Sequence, residues 1–337
     1  MFFDILGFHD YSEFINVDDN IFIASILEAQ KVMESTDNII SFISKKSIFT
    51  VQDNSFESYI FKTIFPHIED AFGKAVTFTY MLRDLINCSI HGRKEDDRDH
   101  FKNKRVDSAG YLLAGLFRQL YKKMHRDLSS VINKTFENNR SVNINSCMKS
   151  KLITNGIKYA LATGNWGVST QSSMRTGVSQ VLNRHSYLSM LSHLRRITSP
   201  IGKDGKHTRP RQLHGSHVYR ICPSETPEGA ACGLVKNMAL SCLITLHDSS
   251  SELKVLIRSW LSPLCVTINH TIITEIPVKI NGCIIGMISI NKYLEFITYL
   301  RKLRSSADIN QTTSIVYDEI LQEIRIHTDS GRLYRPL

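Results

Sequence analysis

The stretch that most limits what this chain can fold into runs from Gly177 to Leu240. Arg184, Arg195, Arg196, Lys203, Lys206, Arg209, Arg211 and Arg220 fall inside it, with Asp204 the only acid between the first and last of them. His185, His193, His207, His214 and His217 stand among these cations. Gly202 and Gly205 break the tract, and Pro200 and Pro210 stiffen it, so it cannot be one continuous helix. The residues instead describe a loop system that presents cations at fixed places. Phosphate is the natural counter-charge, because Lys and Arg along a groove wall bind polyanions by releasing condensed counterions. A solvated charged surface is the other reading of the same residues.

At 337 residues the chain has room for two or three domains. Hydrophobic residues at 42% and charged residues at 22% are a globular composition, not a disordered one. The net charge of +9 favours an anionic partner, and the excess lies in the tract above. Cys88, Cys147, Cys222, Cys232, Cys242, Cys265 and Cys283 include no C-x-x-C pair, which points to reduced thiols inside a cell and away from a zinc ribbon. The opening MFFDILGF has no basic segment and meets Asp4 at once, so no signal peptide is expected. No uncharged apolar run approaches a membrane span, and no membrane partner is expected.

Along the chain, Ile21–Leu27 is apolar enough for a buried helix or strand, and Lys45–Ser55 reads as a polar connector. From Phe56 to Ile90, Val76, Phe78, Met81, Leu82, Leu85 and Ile86 recur at helical intervals. His91–Asp107 is a charged cluster that reads as a solvated loop of ion pairs. Its acids Glu95, Asp96, Asp97 and Asp99 are neutralised by neighbouring cations, which argues against a metal. Ser108–Phe136 is the clearest helix, capped by Asp107 or Ser108, with Leu112, Leu113, Leu116, Phe117, Leu120, Met124 and Leu128 as a core stripe. Asn138–Ser146 is loop-like. Thr163-Gly-Asn-Trp-Gly167 is a turn with an aromatic anchor. After Leu240 the texture becomes β-rich: Leu264–Ile268, Ile276–Ile280 and Cys283–Ile288, with Asn281-Gly282 a hairpin turn. Tyr293–Arg304 is a helix with basic residues in its last turn, and Glu323–Leu337 alternates around a turn at Asp329–Gly331.

Seven short words follow one another in register across the basic tract and its approach. They are TGNWG (163–167), GVSQVLNR (177–184), SHLRR (192–196), SPIGKDGK (199–206), PRQLH (210–214), CPSETPEG (222–229) and GLVKN (233–237). In that order they resemble the fork region of the second-largest, β-type subunit of multisubunit DNA-directed RNA polymerases, closer to the eukaryotic and large-DNA-virus type than to the bacterial one. DRDHFKNKR in 91–107 is similar to that family's passage from lobe into protrusion, and the turn ending TDSGR (328–332) to its external region. The resemblance implies an α+β, multi-domain fragment. Its parts would be the end of the lobe at 1–104, the returning protrusion at 105–164, the fork at 165–245, and an incomplete external domain at 246–337. The protrusion's start, the hybrid-binding region, the wall and the clamp would lie outside this stretch, which would stop in mid-structure.

The resemblance also implies roles. Gly167–Arg175 would be a first fork loop at the upstream edge of the RNA–DNA hybrid, and Ile201–Thr208 a second at the downstream edge of the bubble. Arg195, Arg196, Lys203, Lys206, Arg209 and Arg211 would meet phosphates of template or hybrid without reading sequence. Any single Arg could instead fix a loop internally; Arg196, for instance, could pair with Glu225 or Glu228. Gln212 and His214 would support the active centre. His214 and His217 at i and i+3 lack a second ligand pair for zinc, so hydrogen bonding within the fork is the expected use. Glu225 and Glu228 sit in a proline-stiffened loop with no nucleophile beside them and would act structurally or allosterically. No D-x-D-x-D is present, so magnesium would belong to the partner, the largest subunit. No cofactor or metal, and no chemistry, is expected on this segment alone.

The expected function is that of a part of a transcribing nucleotidyltransferase, with DNA template, RNA–DNA hybrid, the largest subunit and the remaining polymerase subunits as partners. The expected location is the nucleus, or a cytoplasmic factory or virion if the source is viral. A free-standing, non-catalytic nucleic-acid-binding module or polymerase regulator is the alternative that the basic loops also allow.

Overall fold

A computed structural model describes residues 61–89, 92–138, 144–148, 151–166, 175–202, 205, 207–262 and 275–336. The expectations for Ile21–Leu27, Lys45–Ser55, Leu264–Ile268, Lys203, Lys206 and most of Gly167–Arg175 lie outside the described residues. Helices and several small sheets make an α+β chain, as the sequence implies. The chain divides into two compact units, one of residues 1–96 and 247–329 and one of residues 97–246 and 330–337.

The first unit contains α1 (Ala71–Ser89) and, from the later part of the chain, a four-stranded sheet with its helices. Strands β4 (Glu275–Ile280) and β5 (Cys283–Ser289) form an antiparallel hairpin. Asn281 and Gly282 turn it with φ of 49° and 88°, the paired positive values that a two-residue hairpin turn requires. Helix α7 (Tyr293–Ser305) then carries the chain to β6 (Ser314–Asp318) and β7 (Glu323–His327), and β7 pairs parallel with β4. Pro277 is tolerated in this inner strand because pairing with β7 begins only at Val278, and Met287 opposite exchanges its backbone bonds with Ser262 instead. Leu300 lies one turn after Phe296 and Ile297 on α7, and the three bury against Ile276, Val278, Ile324 and Ile326. α6 (Ser250–Ile257) adds Leu253 and Ile257 to the same core, with Trp260 stacked on Tyr299 at 5.2 Å. Glu323, 1% exposed, sits between Lys279 and Arg325, so its charge is matched where water is excluded.

In the second unit α2 (Ala109–Glu137) packs on α4 (Lys151–Thr163), where Gly156 lets the Leu120 side chain approach the helix backbone. A short helix, α3 (Ile144–Cys147), lies between them. Helix α5 (Tyr187–Leu194) runs into β1 (Arg196–Thr198), which pairs antiparallel with β2 (Val235–Asn237). Strands β3 (Leu243–Ile244) and β8 (Leu333–Tyr334) pair nearby around a small core of Ile221, Cys242 and Leu333, joined by Phe101, Val106 and Met238. Gly331, with φ of 84°, brings its backbone against Val106, whose N–H donates to the Gly331 carbonyl at 2.8 Å.

The helix that the apolar period of 56–90 predicts is present as α1, with Met81 and Leu85 facing outward and Lys74, Ala75, Val76, Thr79 and Tyr80 buried. Three expectations need correction. Of the α2 stripe only Leu116 is buried, and Leu113 and Phe117 are exposed, because α4 covers one narrow side of a 29-residue helix. Residues 144–147 are helical within the expected loop. Residues 97–107 are no merely solvated loop either, because Phe101 and Val106 enter the small core of the second unit.

Candidate nucleic-acid interface

The cations of the basic tract separate into two sets. Arg195 follows α5 and turns its guanidinium onto the carbonyls of Ala239 (2.5 Å) and Cys242 (3.0 Å). Arg211 donates to the carbonyls of Ala230 (2.7 Å) and Cys232 (3.0 Å). Arg220 does the same to Leu333 (3.0 Å) and Ser216 (3.1 Å). These three tie irregular backbone together, supplying the donors that a short, bent segment cannot find in a ladder. Arg184, Arg196 and Arg209 are exposed and form no ion pair with a described residue. The internal partner weighed for Arg196 is therefore not found: Glu225 instead accepts the Ser192 hydroxyl, and Glu228 stays exposed at the start of the 229–231 turn.

Two glycines allow the frame to close. Gly164 has φ of 72°, and a side chain there would press on the Ser179 carbonyl at 2.6 Å. Beside it, Trp166 and Arg175 exchange backbone bonds of 2.8 Å each, and the Trp166 indole donates to Ser179 Oγ at 2.8 Å. Trp166 and Arg175, on either side of residues 167–174, are thus held together. Gly233, with φ of 71°, lies so near Arg211 that a Cβ would overlap the Arg211 carbonyl oxygen and stand 2.6 Å from its Cα. The acidic loop is stitched to β2 on the same side. Thr226 Oγ1 donates to the Val235 carbonyl (3.0 Å) and accepts from Gly233 N–H (2.9 Å), and Asn237 Nδ2 donates to the Glu225 carbonyl (3.0 Å).

Gln212 caps the 209–211 turn through its backbone N–H to Arg209 at 3.2 Å, with its side chain exposed. His214 opens the next turn. Its Nδ1 accepts from Ser216 N–H at 3.1 Å, which puts the ring proton on Nε2, facing Asp97 Oδ2 at 2.8 Å. Asp97 also accepts Asp99 N–H at 3.0 Å, and that bond chiefly, with His214 adding, holds its carboxyl below the usual range. Ser216 Oγ accepts Phe101 N–H at 3.1 Å, and the Phe101 ring meets His217 edge-on at 5.1 Å. His217 is 5% exposed; burial first, then the cation of Lys236, push its imidazole down to about 4. Residues 97–104 thereby dock on 214–217, a contact no local pattern announced. Among the described residues no group of three His, Cys, Asp or Glu could hold a metal, and the described cysteines are free. No described helix is long and apolar enough to cross a membrane.

Sequence reasoning passed over Lys236, Thr226 and Asn237, and it weighed Asp97 only as a metal ligand. For Lys236 a signal existed: a lone cation in GLVKN, flanked by residues that read as strand, must reach carbonyls or a carboxylate if the strand is buried.

The family described as RNA polymerase Rpb2, domain 2, matches residues 24–107; domain 3 of the same protein matches 180–244, and domain 4 matches 278–337. The chain is 46% identical over 265 residues to DNA-directed RNA polymerase II subunit 2 of Arabidopsis thaliana, covering 78% of this chain and 22% of that protein. It is 44% identical over 282 residues to DNA-directed RNA polymerase II subunit RPB2 of Schizosaccharomyces pombe, covering 82% and 23%. An archaeal relative, DNA-directed RNA polymerase subunit Rpo2N of Methanocaldococcus jannaschii, is 34% identical over 257 residues, covering 72% and 50%. The chain thus spans under a quarter of the two eukaryotic relatives. Three domain matches in chain order, over a fold whose glycines, carbonyl-seeking arginines and docked turns follow the same words of sequence, place this chain in the Rpb2 family of RNA polymerase subunits.

Proposed function

We propose that this chain works as part of the β-type subunit of a DNA-directed RNA polymerase, gripping the melted DNA and RNA–DNA hybrid while other parts of the enzyme perform nucleotidyl transfer. The observation that carries this reading is the division of the basic tract: Arg195, Arg211 and Arg220 build a rigid frame, and Arg184, Arg196 and Arg209 remain exposed on it. A frame held by carbonyl bonds keeps cations at fixed spacing along a phosphate backbone and reads no base, as transcription of any sequence demands. Lys203 and Lys206, which lie outside the described residues, are proposed to meet the same phosphates. Arg195 and Arg211 serve the grip by holding it in shape, and Gln212, His214, Glu225 and Glu228 by supporting the active centre.

The four parts at 1–104, 105–164, 165–245 and 246–337 are proposed as end of lobe, returning protrusion, fork and external domain. The largest subunit would hold the catalytic magnesium. The remaining polymerase subunits complete the assembly, and the nucleus is its proposed location.

The test uses forked DNA and the full chain, then the chain assembled with the other polymerase subunits. The chain alone should make no RNA. Lys203→Ala with Lys206→Ala should weaken forked-DNA binding at every sequence alike and lower the salt slope by about 1.4 to 1.8 for two lost phosphate contacts. An unchanged slope rejects phosphate contact by this loop. RNA synthesis by the chain alone rejects the division of labour.

A further inference from the structure

We propose that Lys236 is a positioning residue for the 209–211 turn: its ammonium joins the Pro210 carbonyl to the Gly233 carbonyl and so decides where Arg209 stands. Lys236 lies on β2 opposite Ile197 of β1 and is only 8% exposed. Lysine is rarely buried without a carboxylate, because stripping an ammonium of water is costly. Here no described carboxylate pairs with it. Its Nζ donates to Pro210 O at 3.1 Å and to Gly233 O. The two acceptors come from different segments, one from the returning end of the basic loop and one from the turn before β2.

Two further features converge on the same junction. Gly233 lacks the Cβ that would overlap Arg211, so the loop's end can lie directly on the turn. Arg211 reaches the other way, to the carbonyls of Ala230 and Cys232. The 209–211 turn is therefore held from both sides by cations, each bridging backbone that has no strand partner. The far end of the loop is held by Ser199 N–H, which donates to Leu234 O at 3.0 Å. An aliphatic side chain at 236 would fill the same space and leave the Pro210 and Gly233 carbonyls unmatched. Burial lowers the basicity of Lys236, as expected for an ammonium kept for its geometry and not for solvent exposure. The inference deepens the proposed function only where nucleic acid is concerned; its structural part stands alone.

The experiment follows amide exchange in the full chain and in Lys236→Met. Exchange at Ser199, Arg211 and Gln212 should rise at least about tenfold, while amides of the β3–β8 pair stay within about twofold. No change at those three amides overturns the proposal, and so does an equal rise across the whole unit, which would make Lys236 a general stabiliser. Should Lys236→Met fail to fold, amine-reactive labelling of the unaltered chain decides. Lys236 should react at least about a hundredfold more slowly than exposed Lys102, and equal rates overturn the buried contact. In a second arm, Lys236→Met should weaken forked-DNA binding several-fold with an unchanged salt slope, because Lys236 meets carbonyls and not phosphate. A slope lower by about 0.7 to 0.9 would make it a direct phosphate ligand and overturn the positioning role. If the unaltered chain does not bind forked DNA at all, the proposed function falls, and the amide measurement still judges Lys236.

Discussion

The β4–β7 sheet of the first unit and the 177–246 region of the second hold their shape by different means. The sheet buries Ile276, Val278, Ile288, Phe296, Leu300, Ile324 and Ile326 almost completely. Among its described apolar residues the other region buries only Ile221, Leu234, Val235 and Cys242, with Leu333 of β8 packed on Ile221 and Cys242, and its strands have two or three residues. Its order comes from Arg195, Arg211, Arg220 and Lys236, which carry their cations inward to backbone carbonyls. Apolar burial needs extended, regular elements that face one another. A region that must project loops toward a polyanion cannot provide them, so directional bonds from charged donors replace area. Such bonds rigidify only while every member is satisfied, which makes this region the more sensitive to single polar changes.

Paired substitutions can break or sharpen that contrast. Phe296→Ala should have the largest effect, destabilising the first unit by about 3–5 kcal/mol through loss of burial and the cavity left behind. Urea unfolding followed by amide exchange in β4 and β7 measures it, and a loss under about 1 kcal/mol would deny that this unit depends on its apolar core. Arg195→Met should cost about 1–3 kcal/mol in the second unit alone, because the Ala239 and Cys242 carbonyls lose their donor. Stability unchanged by that variant would remove the distinction drawn between the units.

Acid provides the third comparison. His217 is held down to about 4 by burial and by Lys236, with His214 and Lys104 also near and Asp99 opposing them. Between its ordinary value of 6.5 and about 4 the unfolded chain binds the proton and the folded chain does not. Stability of the second unit should therefore rise with pH across that window and fall on acidification through it. His217→Gln, followed by exchange at the Phe101 and Ile221 amides, should flatten the dependence. Smallest in stability is Arg196→Ala, expected within about 0.5 kcal/mol because the side chain is exposed. It should nevertheless lower the forked-DNA salt slope by about 0.7 to 0.9. If Arg195→Met lowers the slope as much, the inner and outer sets are not distinct.

Much of this was legible residue by residue. Asn281-Gly282 announced its hairpin because only such residues tolerate two successive positive φ values. Gly164 in TGNWG announced a close backbone approach, and Ser179 is what it approaches. The helix at 109–137 was plain from its period, yet its apolar stripe was misread as buried. Period tells which residues share a face and says nothing of whether a neighbour covers it. The candidate site was legible as a cluster of cations and illegible as two sets, since Arg195 and Arg196 are adjacent and alike in sequence while one faces carbonyls and the other solvent.

By itself the sequence determined the family, the α+β class, the concentration of positive charge between Arg184 and Arg220, and the places where the backbone must bend. These depend on residue type and local spacing, which the chain carries wherever it folds. Only the tertiary structure decided which cations face inward, that residues 97–104 dock on 214–217, that β4 and β7 run parallel, and that Lys236 bridges two loops. Each of those is a contact between residues far apart in the chain, and a carbonyl that will need a donor looks the same in the sequence as one that water will satisfy.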